Sequence, residues 1–331
     1  MTRVEPRTKK IMKYSLTFAL LLLILPIRAK FVIRVDDLHL KDGDLGTAIS
    51  MALDQSSQKE KDVEVIFSKG KIYSFYRSIV LRDHTTINGN GCVIRFNTLP
   101  SLHAMYLYNS FITNRKCIST DGTINHSNRM LYATKDIAIR NINFECEGDE
   151  QFWFNVNSER GIIGLYGIDG LKIENCVFNN SHRNTPIWIG DIKKAEISRC
   201  KFVESIANKG QNSSCGGIWT NLGSYLESLS IHDCVFTNYR DESVSVFCDG
   251  NENHQHVDKI SIYNNVFNSR FYAITMYSGI KSGSVSIRNN TFNDFDCKSN
   301  PLAIEGGNGY RKLEVKDNKF LGQPTAQLWI L

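Results

Sequence analysis

Five acidic residues and three arginines border short apolar segments in the middle of the chain. They are Asp191, Asp241, Glu242, Asp249 and Glu305, together with Arg183, Arg240 and Arg270. Hydrolysis of a glycosidic bond requires two carboxyl groups about 5 to 10 Å apart, one protonated and one ionised. Elimination from a uronate requires a base beside the sugar and a cation or arginine on its carboxylate. These residues are candidates for either chemistry, although charged residues at strand ends are often only solvated.

Six further residues on the same segments form a candidate substrate-binding set. They are Tyr166, Trp188, Trp219, Asn221, Phe247 and Tyr277. Trp188 and Trp219 occupy matching places in successive segments, so stacked strands would hold them about 4.8 Å apart. Sugar C–H faces pack on aromatic planes, and an indole N–H can donate a hydrogen bond. The set predicts an exposed glycan platform; the alternative is that loops cover the rings, which then only pack.

The elements that position these residues follow from a motif that recurs seven times. Each copy reads apolar residue, two polar residues, Cys or Asn (Ile142 in the first copy), any residue, Phe. The copies stand at 139–144, 173–178, 197–202, 231–236, 262–267, 287–292 and 315–320, and successive phenylalanines are 34, 24, 34, 31, 25 and 28 residues apart. A fixed unit with variable spacers is typical of a solenoid in which each copy adds one turn.

The period within each turn indicates strands. Another apolar residue stands two positions before each copy, with a mostly polar residue between, which is the pattern of a half-buried strand. A second strand-like run precedes each of the last six copies, and its inward positions are taken as Ile163, Ile187, Ile218, Val244, Ile274 and Ile304. With the Phe opening a third strand, the sequence predicts an all-β, single-stranded parallel β-helix.

The Cys or Asn position of the motif is predicted to be a structural ladder. Through the stack it is occupied by Cys176, Cys200, Cys234, Asn265, Asn290 and Asn318. A buried Asn needs hydrogen-bond partners, which its neighbours above and below can supply. No CxxC or Cys/His spacing typical of zinc is present in the sequence, so these cysteines are interpreted as packed fillers. Cys248 and Cys297 are the better candidates for a disulfide.

The N-terminus resembles a secretory leader. Lysines precede a mostly apolar run of 13 residues at 15–27, shorter than the roughly 20 residues of a bilayer span. We expect a signal peptide at 1–29, with Met12 a possible true start; an uncleaved anchor is the alternative. The remaining chain carries 33 basic and 33 acidic residues. It therefore gives no electrostatic reason to bind nucleic acid or anionic membrane, and we expect no stable membrane span and an extracytoplasmic location (secreted, periplasmic or cell surface).

Three further segments are expected after the leader. Residues 44–53 have helical spacing of apolar residues and predict a short helix that caps the open end of the solenoid. We expect this cap and the first turns at 30–96, the β-helix at 97–322 and a C-terminal cap at 323–331.

The order of a helix, VIFSKGKIY at 65–73, TTINGNGCVIRF at 85–96 and the repeated turns resembles the right-handed parallel β-helix proteins of the pectate-lyase-like superfamily. This resemblance covers about residues 36 to 322. It implies a sugar-binding groove on the first-strand sheet, and Ca²⁺ as a cofactor if the protein is lyase-like. The NTD, DD and GHG segments of the polygalacturonate hydrolases are absent from the sequence. The IHDC at 231–234 has His and Asp in the reverse order of a pectate-lyase segment.

Two functions remain open from the sequence. One is an exported β-helix protein that binds polysaccharide in the first-strand groove, either without cleavage or with cleavage as a lyase or glycoside hydrolase. The other is a non-catalytic glycan-binding or adhesin-like solenoid. Convergence of two carboxylates beside Trp188 and Trp219 would favour the enzyme.

Overall fold

Stacked turns of parallel strands make up nearly all of the described chain. The computed structural model describes residues 30–40, 44–57, 62–75, 77–96, 111–113, 134–146, 161–179, 185–203, 216–220, 225–237, 242–246, 256–268, 272–276, 283–295, 301–304, 311–322 and 328–330. Every strand pairs in parallel with a strand of the neighbouring turn. The fold is a right-handed parallel β-helix. This confirms the fold predicted from the repeats.

The strands of the N-terminal part are β1 (Phe31–Arg34), β2 (Val63–Ile66), β3 (Ile72–Phe75), β4 (Ile79–Leu81), β5 (Thr85–Phe96), β6 (Phe111–Thr113) and β7 (Thr134–Cys146). In the middle follow β8 (Gly161–Glu174), β9 (Val177–Asn179), β10 (Thr185–Ser198), β11 (Lys201–Val203), β12 (Ile218–Thr220), β13 (Tyr225–His232), β14 (Val235–Thr237) and β15 (Val244–Val246). The last turns contain β16 (His256–Tyr263), β17 (Val266–Asn268), β18 (Ile274–Met276), β19 (Ser284–Arg288), β20 (Thr291–Phe295), β21 (Leu302–Ile304), β22 (Lys312–Lys316), β23 (Lys319–Gly322) and β24 (Leu328–Ile330).

The strands form three faces. The first-strand sheet runs through β4, β6, the first halves of β8 and β10, then β12, β15, β18, β21 and β24. The second-strand sheet contains the second halves of β8 and β10, then β13, β16, β19 and β22. The third-strand sheet contains the end of β7, then β9, β11, β14, β17, β20 and β23. Each motif Phe lies inside a third strand.

The motif phenylalanines form a continuous stack through the core. Phe144, Phe178, Phe202, Phe236, Phe267, Phe292 and Phe320 follow one another with ring centroids 4.6 to 5.1 Å apart and planes within 9° of parallel. The spacing equals that of the strands, since a parallel register places identical residues directly above one another. Large apolar rings therefore fill one corner of the core in each of the seven turns that carry the motif.

The predicted ladder lies at the corner between the second and third strands. Asn265 and Asn290 are buried, and each donates from Nδ2 to a backbone carbonyl, of Ile231 at 3.0 Å and of Ile262 at 2.9 Å. The ladder also reaches one turn further than predicted, because Cys92 pairs in register with Ile142. Cys92, Cys176, Cys200 and Cys234 are free thiols. Burial raises the pKa of Cys92 to about 12, so this thiol stays protonated and unreactive.

The residue before each ladder position adopts a left-handed backbone conformation. This holds for Asn141, Asn175, Arg199, Asp233, Asn264, Asn289 and Asp317, with φ between 53° and 58°. Asn and Asp tolerate this conformation better than other non-glycine residues. The polar residue before each ladder position therefore allows the backbone to turn at this corner.

The N-terminal end is closed by helix α1 (Leu45–Ser57), which confirms the predicted helix and extends it by four residues. Asp44 caps the helix, since its Oδ2 accepts hydrogen bonds from Thr47 N and Thr47 Oγ1, both at 2.8 Å. Buried Ile49 and Leu53 face the first turns. Within the described ranges, no helix is both long and apolar enough to cross a membrane.

An acid-sensitive cluster fixes the first turn beside this helix. Asp36 accepts hydrogen bonds from Lys71 Nζ at 2.6 Å, Ser68 Oγ at 2.6 Å and Tyr73 OH at 2.8 Å. The bond from Lys71, with those from Ser68 and Tyr73, lowers the pKa of Asp36 from 3.8 to about 2. Because the folded pKa is the lower one, this stabilisation is present above the unfolded pKa and is lost as the pH falls through about 2.

We predict that Asp36→Asn lowers the melting temperature at neutral pH and flattens its acid dependence. The difference from the unmodified chain should shrink between pH 4 and pH 2, the window bounded by the two pKa values. Thermal melts followed by circular dichroism across this range measure it. Melting curves that differ equally at pH 2 and pH 7 would contradict the assignment. The matched control is Asp37→Asn, because Asp37 lies with Asp36 on the 3-10 turn Val35–Asp37.

Candidate functional site

The outer face of the first-strand sheet presents one column of residues along the solenoid axis. In successive turns it contains Gly164, Trp188, Trp219, Ser245, Thr275 and Ala303, each in register with the next. Their neighbours Ile187, Ile218, Val244 and Ile274 belong to the hydrophobic core cluster, whereas the buried Trp188 and Trp219 do not. Side chains alternate across a strand, so this column points away from the core.

Trp188 and Trp219 are adjacent in this column, as their matching places in the sequence predicted. Their ring centroids lie 5.3 Å apart and the planes are tilted by 53°. Both side chains are nearly covered, with 6% of Trp188 and 8% of Trp219 exposed. The expectation of an exposed aromatic platform is therefore wrong for these two rings, and the alternative that they are covered describes them better. The tilted pair is a closely packed unit that lies against the sheet.

The absence of a side chain at Gly216 makes room for the Trp219 ring. A Cβ atom on Gly216 would fall 1.5 Å from Trp219 Nε1 and 2.2 Å from Cδ1. The indole thus occupies the space that any side chain at position 216 would need. Sequence reasoning missed this residue, although the Gly-Gly pair two residues before a tryptophan was its visible sign.

We predict that Gly216→Ala forces the Trp219 ring out of its position. The overlap should destabilise the fold by about 1–3 kcal/mol, the usual range for overpacking. It should also change the tryptophan fluorescence. The same substitution in a Trp219→Ala background removes the overlap, so its effect there should be smaller. Equal effects in both backgrounds, measured by denaturant unfolding, would show that the ring does not limit position 216.

Hydroxyl groups continue the column beyond the aromatic pair. Ser245 and Thr275 are buried, and their side-chain oxygens are hydrogen-bonded to each other at 3.0 Å. From Trp188 to Thr275 the column spans three turn steps, about 14 Å at the strand spacing. The described column therefore changes along the axis from aromatic to hydroxyl without a charged residue.

Glu242 is the candidate acid whose side chain the structure describes. It is 4% exposed and stands two residues before β15. Its backbone carbonyl accepts a hydrogen bond from Gly217 N at 3.2 Å, which links it to the glycine pair beside Trp219. One acid of the predicted set therefore lies on a segment joined to the tryptophan turn.

The other predicted site residues fall largely beyond what the structure describes. Asp191 lies in β10 and Tyr166 in β8, where the register pairs Tyr166 with Gly190; nothing is described of either side chain. Outside the described residues lie Arg183, Asn221, Arg240, Asp241, Phe247, Asp249, Arg270, Tyr277 and Glu305, as do Cys248 and Cys297. The acid pair sought beside the tryptophans is therefore an expectation still to be tested.

One predicted alignment requires correction. Ile274 pairs with Leu302, and Ile304 pairs with Met276. The outward position that follows Thr275 is consequently Ala303, whereas the sequence pattern predicted Glu305 there. Leu302 and Ile304 both point inward. The predicted register was therefore wrong by two residues along the strand, but the assignment of residues to the inner and outer faces was not affected.

Among the described residues, no three His, Cys, Asp or Glu side chains converge in an arrangement that could hold a metal ion. The Ca²⁺ expected of a lyase-like protein therefore has no assigned ligands in this part of the chain.

Comparisons with known proteins give structural likenesses at low identity. Neither a protein-family model nor a curated protein matches the sequence. The surface adhesin PfbA of Streptococcus pneumoniae is 15% identical, with 90% of this chain and 93% of that chain covered and a TM-score of 0.44. A tailspike protein mutant of E. coli bacteriophage HK620, in complex with a pentasaccharide, is 11% identical at a TM-score of 0.49. In that match 90% of this chain and 65% of the tailspike chain are covered. The Family 28 exopolygalacturonase of Yersinia enterocolitica is 11% identical, with 91% and 66% covered and a TM-score of 0.42.

Proposed function

We propose that the protein binds polysaccharide along the outer column of the first-strand sheet. The observation that carries this proposal is the Trp188 indole N–H, which is buried and has no hydrogen-bond acceptor among the residues described. Buried donors are normally paired, and a donor without a partner calls for an explanation. A sugar hydroxyl would provide the acceptor, while the two indole rings provide the apolar surface that sugar C–H faces require.

The arrangement of the column supports a glycan that runs along the solenoid axis. Trp188 and Trp219 would contact one part of the chain, and the hydroxyls of Ser245 and Thr275 would contact the next. The Ser245–Thr275 bond of 3.0 Å leaves each oxygen further lone pairs. About 14 Å of sheet suits a short oligosaccharide segment. Because the four side chains are nearly covered, binding requires the groups that cover them to move aside.

Cleavage of the bound glycan would require a second carboxyl group near Glu242. Asp191, Asp241, Asp249 and Glu305 are the acids for that role, and Arg183, Arg240 and Arg270 are the bases or uronate partners for a lyase. The binding proposal does not depend on them. Assays for reducing ends and for the absorbance of unsaturated uronates separate the hydrolase, the lyase and the non-catalytic binder.

The test of binding is a glycan panel followed by calorimetric titration of the best ligand. Trp188→Phe keeps a ring in the column but removes the N–H donor, so affinity should fall about fivefold to tenfold, the effect of one hydrogen bond. Trp188→Ala should weaken binding further. Lys201→Gln on the third-strand sheet is the control variant. Absence of binding to every glycan, or unchanged affinity of a folded Trp188→Ala variant, would overturn the proposal.

We also propose that the protein is exported. The lysines and short apolar run within residues 1–29 support this location. Expression of the full chain in its host, followed by fractionation and N-terminal sequencing, should yield an extracytoplasmic protein that begins near Lys30. Recovery of the intact chain in the cytoplasm would contradict export.

A further inference from the structure

The second-strand sheet carries an outer surface different from that of the first. We call it the serine face and define it by five turns, from the second half of β10 through β13, β16, β19 and β22. Its central column contains Ser230, Ser261 and Ser286 in register, with Glu196 before them and Glu314 after them. Three small hydroxyl residues in a row leave a flat polar floor.

Lysines border this floor on one side. The column there alternates strictly, as Lys194, Ser228, Lys259, Ser284 and Lys312, with each residue in register with the next. All three lysines are exposed, and Lys194 and Lys259 make no ion pair within the described part of the chain. They recur every second turn, about 9.6 Å apart at the strand spacing. Two serines between them widen the floor.

A stack of planar groups borders the floor on the other side. His232 and Tyr263 lie in register with ring centroids 4.7 Å apart and planes within 7°, and Arg288 Cζ lies 4.8 Å from the Tyr263 ring centroid. His232 is further held by Asp233, at 2.7 Å from Nδ1. This wall lies four positions along the strand from the lysines, a distance of about 13 Å in extended backbone. The stack holds Arg288 in a defined place on the rim.

The two carboxylates of the central column, and Asp258 beside the lysines, already have cationic partners. Glu196 lies 3.8 Å from Lys172 Nζ and 3.5 Å from His232 Nε2, and Glu314 lies 3.9 Å from Lys312 Nζ. Asp258, next to Lys259 in sequence, pairs with Arg311 at 3.8 Å. The charges left for a ligand are therefore chiefly those of Lys194, Lys259 and Arg288. They stand on opposite sides of the floor.

We propose that the serine face binds an acidic glycan, a uronate or sulfated sugar chain, independently of the first-strand column. The cations on the two rims fit anionic groups that repeat along an extended polymer. The lysine period is close to the length of a disaccharide, and the serine hydroxyls can exchange hydrogen bonds with sugar hydroxyls. A single-stranded nucleic acid fits less well, because it needs open aromatic faces for base stacking, and the Tyr263 faces are occupied by His232 and Arg288.

The test compares a soluble polygalacturonate fragment with uncharged dextran, by titration of the full protein at low and high salt. Polygalacturonate should bind and dextran should not, and binding should weaken as salt screens the exposed charges. Lys259→Gln combined with Arg288→Gln should weaken polygalacturonate binding about threefold to tenfold, as expected for exposed ion pairs. Lys201→Gln combined with Lys319→Gln makes the same charge change on exposed lysines of the third-strand sheet and should have no effect.

The two binding surfaces are distinguished by testing a variant of one surface for binding at the other. Trp188→Phe should leave polygalacturonate binding on the serine face unchanged, whatever its effect on the first-strand column. The proposal is overturned if dextran binds the folded Trp188→Ala variant as well as polygalacturonate does, or if single-stranded DNA binds more tightly. It is equally overturned if nothing binds, or if the folded Lys259/Arg288 double variant behaves as the control does.

Discussion

Replacement of Phe236 by Ala is expected to destabilise the β-helix by about 3–5 kcal/mol, the usual cost of truncating a fully buried aromatic side chain. Phe236 is fully buried between Phe202 and Phe267. Its ring centroid lies 4.6 Å from that of Phe202 and 4.9 Å from that of Phe267, with angles of 1° and 9° between the ring planes. Its removal opens a cavity that the rigid strands above and below cannot close. It also removes two aromatic contacts, each of which adds about 0.5–1.5 kcal/mol beyond the area buried.

The matched control lies at the end of the same stack. Phe320 contacts Phe292 at 4.8 Å but is only partly buried, so Phe320→Ala should lose clearly less stability than Phe236→Ala. Equilibrium unfolding in urea gives both values. If the two substitutions had the same effect, the stack would not be a continuous core element, and the stability of the solenoid would have to come from elsewhere.

The repeat made most of the fold predictable because its residues perform local tasks. Asn264 supplies the left-handed corner, Asn265 the ladder bond and Phe267 the core contact, all within one motif. One motif thus supplies the corner residue, the ladder hydrogen bond and the core ring of its turn. It also fixes the register between turns, since equivalent residues stack on one another. The positions of the strands therefore followed from spacing alone.

The candidate site was less predictable because burial depends on residues distant in sequence. Alternation placed Trp188 and Trp219 on the outer face correctly, but it gave no information on how the rings would lie. The Trp219 ring rests over Gly216, a contact that becomes visible only when the turn is built. The one register error, Ile304 in place of Leu302, arose because both residues are apolar and two positions apart, which a period-two pattern cannot distinguish.

Replacement of Asn265 by Ala is the second large effect expected. The Asn265 side chain accepts from Cys234 N at 2.9 Å and donates to Ile231 O at 3.0 Å, in a corner without solvent. Alanine leaves this buried N–H and this carbonyl unpaired, and each unpaired group costs about 1–3 kcal/mol. We expect a loss of about 2–4 kcal/mol in denaturant unfolding, with a third group affected because Asn265 Nδ2 also bonds Asn290 Oδ1 at 3.0 Å.

Cysteine is the natural control at this position, since three earlier turns use it in the same place. Cys234 Sγ accepts from Cys200 N at 3.4 Å and contacts Ile197 O at 3.8 Å, so a thiol satisfies the same two backbone groups with weaker bonds. Asn265→Cys should therefore retain more stability than Asn265→Ala, although both shorten the side chain. If both variants lost the same amount, the ladder's role would be to fill space, and the change from cysteines to asparagines along the stack would have no energetic meaning.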